Sequence, residues 1–401
     1  MNKRLYYLYK LMQHIAPIYP IYLILFESKG LSASQISLLL AIWSFSVVLF
    51  EVPTGILSDY WNRRNMLIIG SICKVMCYII WLFSEGFMLF ALGFALWGLS
   101  EAFCSGSEEA LVYDNLKLQG KENEFDEVYG KGQFYYNIGV AISGISGGFL
   151  SMACGMRFVL IVSIISMLVC VVVSTRFKEA NFFVTENQVK SGVLFVHSFA
   201  TLRDSIIFCT KSSKLLLIII ISVFVIGMDG ILDEYDPLVA KNYGLNLGFI
   251  GIWVCLRNVM EAFGARVAHK FKLILLKLKI KDPFIAIWTI CLSAGAFLGI
   301  AGWIHSIILI PLYGLFYLLM SSARVLHEDF VQHQINEQGR STVHSLISLM
   351  YNLYAISFFG MFSIVLSKID IHRVLVIMSV HLIIICFILR ILYGRIREGT
   401  P

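Results

Sequence analysis

The sequence predicts an all-α integral membrane protein with twelve transmembrane helices in two pseudo-symmetric six-helix bundles. Three observations predict this fold: the composition, the recurrence of long apolar runs and the placement of Lys and Arg. Of the 401 residues, 58% are hydrophobic and 14% are charged. Soluble domains are about half apolar and about a quarter charged. A chain this apolar needs lipid as part of its solvent.

Apolar runs long enough to cross a bilayer, about 20 residues each, recur along the whole chain. Transmembrane strands would be shorter and would alternate in polarity, so the runs indicate helices. The six predicted spans of the first half are 4–27, 36–57, 66–84, 88–113, 129–152 and 157–176. The six predicted spans of the second half are 213–238, 248–268, 283–303, 305–327, 341–366 and 371–393.

Lys and Arg fall unequally on the two sides of these spans. With the N-terminus in the cytoplasm, 23 of them lie in the inner segments and 5 in the outer segments. This asymmetry is the positive-inside pattern of membrane proteins. It predicts that both termini are cytoplasmic, and it explains the net charge of +6 without a nucleic-acid partner.

The twelve spans divide into two halves around one long inner segment. The sequence predicts a first bundle over 1–176, a cytoplasmic linker over 177–212 and a second bundle over 213–401. The linker contains SGVLFVHSFATLRDSIIF, which is typical of an amphipathic helix on a membrane surface. Equal halves suggest an internal duplication with a site between them.

Other signals in the sequence are weak. The basic start and long apolar body of the N-terminus lack a small-residue cleavage site, which favours a retained first helix over a signal peptide. The nine cysteines show no metal-type spacing. We therefore expect no metal site and no cofactor.

The stretch FEVPTGILSDYWNRR lies between the second and third predicted helices, on the cytoplasmic side. It resembles the signature loop of the major facilitator superfamily, which reads Gly, three residues, Asp, a basic residue, any residue, Gly and two basic residues. The matching residues here are Gly55, Asp59, Arg63 and Arg64. Tyr60 replaces a basic residue, and Asn62 replaces a glycine with a residue that tolerates a left-handed turn.

The chemistry of this loop suggests an inner gate. Gly55 would allow close approach of helices, and Asp59 would face the positive N-terminus of the eleventh helix, near Ser341. Arg63 or Arg64 would pair with Asp114 at the inner end of the fourth helix. The resemblance implies that these contacts close the inner side of the transporter. A simpler interpretation is a turn with positive-inside anchors.

The fifth predicted helix is rich in small residues. Family exporters carry a glycine motif here, and Gly130, Gly139, Gly147 and Gly148 match it, whereas Ser143 replaces Gly and Gly144 replaces Pro. We expect this face to pack tightly between the halves. The resemblance favours an antiporter, and a generic small-residue interface is the alternative.

Ionisable residues inside apolar spans are costly and indicate function. Asp229 and Asp233 are four residues apart on the seventh helix, and Glu101 lies near the midplane of the fourth, with Glu108 on the same predicted face. Burial raises the pKa of a carboxyl group in general, so Asp229, Asp233 and Glu101 are candidate proton carriers. Fixed ion pairs with Arg257 and Lys74 are the alternative.

Further polar and aromatic residues lie on helices that line the central cavity in the family. The candidate cavity residues are Gln13, His14, Tyr136, Asn137, Arg257, Tyr317 and Asn352. Acids beside aromatic rings suit a cationic or amphipathic compound, and a zwitterionic or peptide-like cargo remains open.

The leading interpretation is a secondary active transporter of the bacterial inner membrane that exports a small molecule in exchange for protons. The alternative on the same fold is a proton-coupled importer of a small metabolite. An enzyme is disfavoured because HExxH is absent from the sequence. GxSxG occurs at 144–148, inside the apolar run of the fifth predicted helix and not on the strand-to-helix turn that a nucleophile elbow requires. A transport-inactive receptor is a further alternative. The expected partners are the bilayer, protons and one small molecule, and the expected assembly is a monomer.

Overall fold

The structure is a computed structural model that describes residues 2–179, 213–280, 282–334 and 340–398. Some side chains within these ranges, including those of Asp59 and Tyr60, are not described. The described residues form helices and connecting turns, with no strand among them. The predicted amphipathic helix of the linker lies outside the described residues.

The described residues of the first half form eight α-helices. They are α1 (Lys3–His14), α2 (Tyr22–Ser28), α3 (Ala33–Tyr60), α4 (Arg63–Phe83), α5 (Phe87–Cys104), α6 (Ser107–Lys117), α7 (Phe125–Cys154) and α8 (Met156–Thr175). The described residues of the second half also form eight. They are α9 (Ser213–Ile221), α10 (Met228–Leu232), α11 (Asp236–Asn242), α12 (Leu247–Lys277), α13 (Pro283–Ile304), α14 (Ile310–Gln334), α15 (Arg340–Val365) and α16 (Arg373–Glu398).

Local sequence explains several helix ends. Ser32 and Gln35 form a reciprocal capping box at the start of α3. Asp282 accepts hydrogen bonds from the backbone N–H groups of Phe284 and Ile285 at the start of α13, where Pro283 supplies no N–H of its own. Gly155 separates α7 from α8 at a φ of 83°, a conformation that favours glycine.

Within the described residues, eleven helical stretches are long and apolar enough to cross a membrane. The remaining predicted span is the first in the chain, 4–27, which is broken into α1 and α2 around Pro17 and Pro20. Proline cannot donate the backbone hydrogen bond that a continuous helix requires. Because of this break, neither α1 nor α2 alone is long enough to cross a membrane, although the chain is helical on both sides of the break.

Two other predicted spans are also interrupted. The fourth, predicted over 88–113, divides into α5 and α6 at Gly106, whose φ is 69°. The seventh, predicted over 213–238, passes from α9 through a π-helical turn at Ser222–Ile226 before α10 begins. Such π turns occur frequently at functional sites.

The chain clusters into two compact units. The first comprises Met1–Phe199 with Asn246–Cys255 and Phe359–Ile364, and the second comprises Ala200–Leu245, Leu256–Phe358 and Val365–Pro401. In the first unit α3 packs on α5, α4 on α5 and α8, and α1 on α7. In the second unit α13 packs on α14 and α16. The predicted boundary at 177–212 falls almost entirely outside the described residues and stays a prediction.

Large apolar side chains are exposed on many helices. Met88 is 79% exposed, Val172 59% and Ile364 69%. Contiguous apolar surface of this kind is unfavourable in water but suits contact with lipid acyl chains. The exposed apolar surface therefore agrees with a multi-pass membrane protein.

Candidate functional site

Buried polar side chains form one cluster in the second unit. Arg257 on α12 donates to Asp236 Oδ2 at 3.1 Å and forms an ion pair with Asp233 Oδ2 at 3.3 Å. Tyr317 on α14 donates to Asp236 Oδ1 at 2.8 Å, and Tyr313 donates to the same oxygen. We call these five residues the Arg257 cluster.

Burial differs within the Arg257 cluster. The side chain of Asp236 is 0% exposed and that of Asp233 is 28% exposed. Asp236 accepts hydrogen bonds from three donors. Asp233 forms an ion pair with the Arg257 guanidinium, which it shares with Asp236. The Nε atom of Arg257 is buried without a hydrogen-bond partner among the described residues. Asp236 is therefore held firmly in place by its partners, and Asp233 is held more weakly than Asp236.

Asp229 has a different partner. It forms an ion pair with Arg324, which the sequence analysis did not single out. Its carboxylate is buried, and the Arg324 side chain is 49% exposed. The fixed pair that was expected between Arg257 and the acids of the seventh helix forms with Asp233 and Asp236, and not with Asp229.

A second polar group in the first unit surrounds Glu101. Trp43 on α3 and Trp97 on α5 donate their indole N–H groups to the two Glu101 oxygens, at 3.0 and 2.6 Å. The ammonium of Lys74 lies 2.9 Å from the centre of the Trp97 ring, a cation–π contact. Lys74 also interacts electrostatically with Glu101. We call these four residues the Glu101 group.

Glu108 is separate from the Glu101 group. It forms an ion pair with Lys10 at 2.8 Å and accepts a hydrogen bond from Tyr6 at 3.2 Å. The expectation that Glu101 and Glu108 project together from one continuous helix is wrong because Gly106 breaks the helix between them. The two acids consequently have different partners.

The gate motif differs in form from the predicted loop. Gly55 and Asp59 lie inside α3, Arg63 and Arg64 begin α4, and only two residues connect the helices. Asn62 is the N-cap residue of α4 with a φ of −69°, so it does not adopt the left-handed conformation that Asn tolerates. Among the described residues, a Cβ at Gly55 would meet nothing within 4 Å, and the close helix approach expected at Gly55 stays a prediction.

The basic part of the motif has the expected acidic neighbour. Arg63 forms a buried ion pair with Asp114 on α6, as the sequence analysis proposed for Arg63 or Arg64. The backbone N–H of Arg64 donates to Glu179 at 2.9 Å, which satisfies a free donor of the first turn of α4. The Asp59 side chain is outside the description, so its contact with the eleventh helix stays a prediction.

The glycines of the fifth predicted helix, here α7, pack in two directions. A Cβ at Gly139 would approach the Leu11 carbonyl oxygen to 2.7 Å, and one at Gly147 would meet the Pro17 carbonyl oxygen. These two glycines therefore pack on the first helix of their own unit. Gly144 and Gly148 face residues Gly251 and Leu247, which cluster with the first unit, and Gly130 faces open space.

Ser143 explains one departure from the glycine motif. Its hydroxyl donates to the His14 carbonyl at 2.7 Å and accepts from the Ala16 N–H at 2.8 Å. Both backbone groups are freed by the break between α1 and α2. A serine at this position therefore stabilises the broken first helix, which a glycine could not do.

The candidate cavity residues fall into two groups. Arg257 and Tyr317 are buried in the Arg257 cluster. His14 packs on Tyr136 with ring centroids 3.9 Å apart, beside Gln13, whose Oε1 atom is buried without a partner among the described residues. Asn137 is exposed and Asn352 is half-buried. Gln13, His14, Tyr136 and Asn137 lie in the first unit.

Sequence reasoning missed Arg324, the burial of Asp236 and the indole partners of Glu101. Asp236 was not among the candidate residues of the sequence analysis, although it is fully buried. Asp229, Asp233 and Asp236 recur at spacings of four and three, the period of one helix face. The same rule that singled out Arg257, a charge within an apolar run, applies to Arg324.

Comparisons with known proteins address the fold as a whole. The structure resembles that of the nucleoside transporter NupG, with a TM-score of 0.75, 13% identity and coverage of 98% of this chain and 99% of that chain. It also resembles a D-xylose–proton symporter, with a TM-score of 0.69, 12% identity and coverage of 96% of each chain. For a POT family transporter in complex with a thioalcohol-conjugated peptide, the TM-score is 0.71 at 12% identity, and the coverage is 98% of this chain and 96% of that chain.

These identities are low enough that the structural likeness shows the fold alone. None of the curated protein sequences matches the chain. The family model described as Major Facilitator Superfamily, in contrast, matches residues 11–394, nearly the whole chain. Together with the membrane-spanning helices and the similar fold, this match shows that the protein is a transporter and that the chain belongs to the major facilitator superfamily.

Proposed function

We propose that the protein is a proton-coupled secondary transporter of a small organic compound, in which Asp233 carries the proton. The supporting observation is the shared guanidinium of Arg257. One cation faces two carboxylates, and Asp236 accepts hydrogen bonds from that cation and from the Tyr313 and Tyr317 hydroxyls. The second carboxylate, Asp233, is one negative charge in excess at a low-dielectric site. Taking up a proton removes that excess charge.

This proposal separates the three candidate acids. Asp229 is neutralised by Arg324, and Glu101 is held by two indole N–H groups near Lys74. Both are therefore fixed more firmly than Asp233, which has the most exposed carboxylate of the Arg257 cluster. A proton carrier must exchange with water during the cycle, and partial exposure permits that exchange.

We propose that the direction of transport is export and that the cargo is an amphipathic or cationic compound. The two carboxylates that share one guanidinium in the Arg257 cluster and the aromatic rings around Glu101 favour a cation. Transport would proceed by alternating access, with Arg63 and Asp114 contributing to an inner gate. We place the chain in the bacterial inner membrane as a monomer with both termini in the cytoplasm, on the distribution of Lys and Arg.

Import is the second candidate function. The glycines that suggested an antiporter have another explanation, because Gly139 and Gly147 pack on α1 and on the break after it. The similar structures include a symporter of D-xylose and protons and a nucleoside transporter, by their descriptions. A proton-coupled importer would use Asp233 in the same way with the opposite direction of cargo accumulation.

Vesicle transport with an imposed pH gradient tests the function. The probes are ethidium and tetraphenylphosphonium for export and uridine, D-xylose and dialanine for import, with the Asp233→Asn variant beside wild type. We expect the pH gradient to drive movement of at least one probe in wild type. This movement should be lost in Asp233→Asn and kept in Glu85→Gln. Glu85 is a matched control because its side chain is 79% exposed. Movement that ignores the gradient, or that survives in Asp233→Asn, contradicts the proposal.

A further inference from the structure

Polar side chains continue beyond the Arg257 cluster along two facing helical stretches. On the seventh span, polar side chains occur at 222, 229 and 236, and their partners on α14 occur at 327, 324, 317 and 313. The described contacts pair them in antiparallel order: Ser222 with His327, Asp229 with Arg324, and Asp236 with Tyr317 and Tyr313. We call this row of pairs the polar ladder.

His327 is the inner end of the polar ladder. It lies 3% exposed near the cytoplasmic end of α14, and its Nε2 is 2.7 Å from the Ser222 hydroxyl oxygen. Its Nδ1 is buried without a hydrogen-bond partner among the described residues. The charged residues nearest to it along the ladder are Arg324, which pairs with Asp229, and Glu328, which is exposed.

The hydrogen bonds of Ser222 decide which nitrogen of His327 carries the proton. The Ser222 hydroxyl donates its single hydrogen to the Ile218 carbonyl at 3.0 Å. The hydroxyl oxygen must then accept from His327, so Nε2 carries a hydrogen. A second hydrogen on Nδ1 would be a buried N–H without an acceptor among the described residues, which favours the neutral ring. Nδ1 is therefore a lone pair that faces no donor among the described groups. The opposite tautomer would bury an unsatisfied N–H, which is the costlier arrangement.

We propose that His327 is the inner proton-exchange residue of the transporter, with Nδ1 as the atom that takes up and releases the proton. This inference rests on the proposed proton coupling at Asp233. A proton on Nδ1 gives an imidazolium that keeps its Nε2–H bond to Ser222, and loss of that proton to water regenerates the neutral ring. Arg324, whose side chain is 49% exposed, lies between His327 and the acids in the order of the ladder.

The geometry also explains the π-helical turn. Five residues, Ser222–Ile226, form this turn, and the Gly227 N–H donates to the Ser222 carbonyl across five residues. The extra residue shifts the helical register between Ser222 and Asp229. Both side chains then face α14, as their contacts with His327 and Arg324 show.

Two measurements on the full-length protein in proteoliposomes test this inference without a known cargo. Nitrogen NMR of labelled histidine follows the ring when the pH on each side is lowered separately from about 8 to about 4, a range that spans the usual histidine pKa. We expect one signal, absent in His327→Gln, that changes from the neutral Nε2–H form to imidazolium with the cytoplasmic-side pH. A signal that follows the outer pH, or that never changes, overturns the proposal.

The second measurement is the rate at which Asp233 gains a proton after a cytoplasmic pH jump, from the infrared carboxyl band that Asp233→Asn removes. His327→Gln keeps an N–H for Ser222 but cannot titrate. We expect this variant to lower the rate at which the Asp233 band appears by about a hundredfold. His381→Gln is the matched control, since His381 bonds to Tyr354 on other helices. An unchanged rate in His327→Gln overturns the relay. Absence of the band in wild type contradicts the proposed function instead.

Discussion

Arg257 is the residue on which the Arg257 cluster depends most. It contacts Asp233, Asp236 and the Tyr317 ring, and its side chain is 9% exposed. Removing one partner of a buried ion pair leaves a charge without compensation, which costs about 3–5 kcal/mol. We therefore expect Arg257→Met to lower the thermal stability of the purified protein strongly.

The control for this prediction is on the same helix. Arg266 is exposed, and Arg266→Met should leave the unfolding temperature nearly unchanged. The double variant Arg257→Met with Asp236→Asn should recover part of the lost stability because it removes the stranded charge. Equal unfolding temperatures for Arg257→Met and wild type would show that the Arg257 cluster is not a buried ion-pair network.

The last span begins at Arg373 in the structure, so His372, which the sequence placed inside it, lies outside the membrane-spanning segments. His372 gives a residue-scale prediction. Its ring stacks on His305 with centroids 4.0 Å apart. Burial first, and the neighbouring His305 second, lower the pKa of His372 below its usual value. The folded state thus disfavours the imidazolium. The stability that neutral His372 contributes is fully present above the histidine pKa of the unfolded chain, about 6.5. It falls as the pH drops from there toward the lowered pKa of His372 in the folded protein.

Thermal unfolding between about pH 7.5 and about pH 5.5, a range centred on the histidine pKa, checks this sign. We expect the unfolding temperature to fall with pH in wild type, and to fall less in His372→Phe, which keeps a flat ring for stacking. A wild-type protein that becomes more stable as the pH is lowered would contradict the assignment.

At the scale of the element, the broken first helix depends on hydroxyl groups of its neighbours. Ser143 bonds two backbone groups at the break, and Ser163 on α8 accepts from the Ile18 N–H at 3.1 Å. Leaving buried backbone groups unsatisfied costs about 1–3 kcal/mol. We expect Ser143→Ala to destabilise the protein by about that amount and Ser146→Ala to have little effect, because Ser146 has no partner among the described residues. Equal effects would contradict the role of Ser143.

The crossing of α12 and α14 depends on a glycine. A Cβ at Gly264 would press on the Leu318 carbonyl oxygen, and Ser322 donates to the Gly264 carbonyl at 2.7 Å. Backbone cannot move aside as a flexible side chain can, so Gly264→Ala should separate the helices and lower the unfolding temperature. Gly360→Ala is the matched control because a Cβ there meets nothing within 4 Å. It should be neutral or stabilising by up to about 1 kcal/mol. Lower stability in Gly360→Ala than in Gly264→Ala would contradict this account.

The elements show how far sequence reasoning reaches. Apolar run length identified the spans well because burial in lipid demands about 20 residues whatever their partners. Periodicity could not show that Gly106 would break the fourth helix, or that Pro17 and Pro20 would divide the first. Those breaks are stable only because groups distant in sequence, such as Ser143, satisfy the freed backbone. Likewise, spacing placed Asp229 and Asp233 on one face, but the choice between Arg257 and Arg324 as partner depends on tertiary packing.

At the scale of the whole molecule, the distribution of Lys and Arg predicts the orientation. Single cysteines on a cysteine-free background at Lys121 and Lys368 would report opposite sides. We expect an impermeant thiol reagent added to whole cells to label the cysteine at 368 and to spare the cysteine at 121. The reverse pattern would invert the topology and move the gate residues Arg63 and Asp114 to the outside.

The central claim is that the excess charge at Asp233 couples the protein to protons. Its most direct test is the infrared carboxyl band of the full-length protein in proteoliposomes, compared between wild type and Asp233→Asn as the pH is lowered. We predict a protonated carboxyl band in wild type that disappears in Asp233→Asn and persists in Asp229→Asn and Glu101→Gln. A band that persists in Asp233→Asn, or that depends on Asp229 or Glu101 instead, would contradict the account.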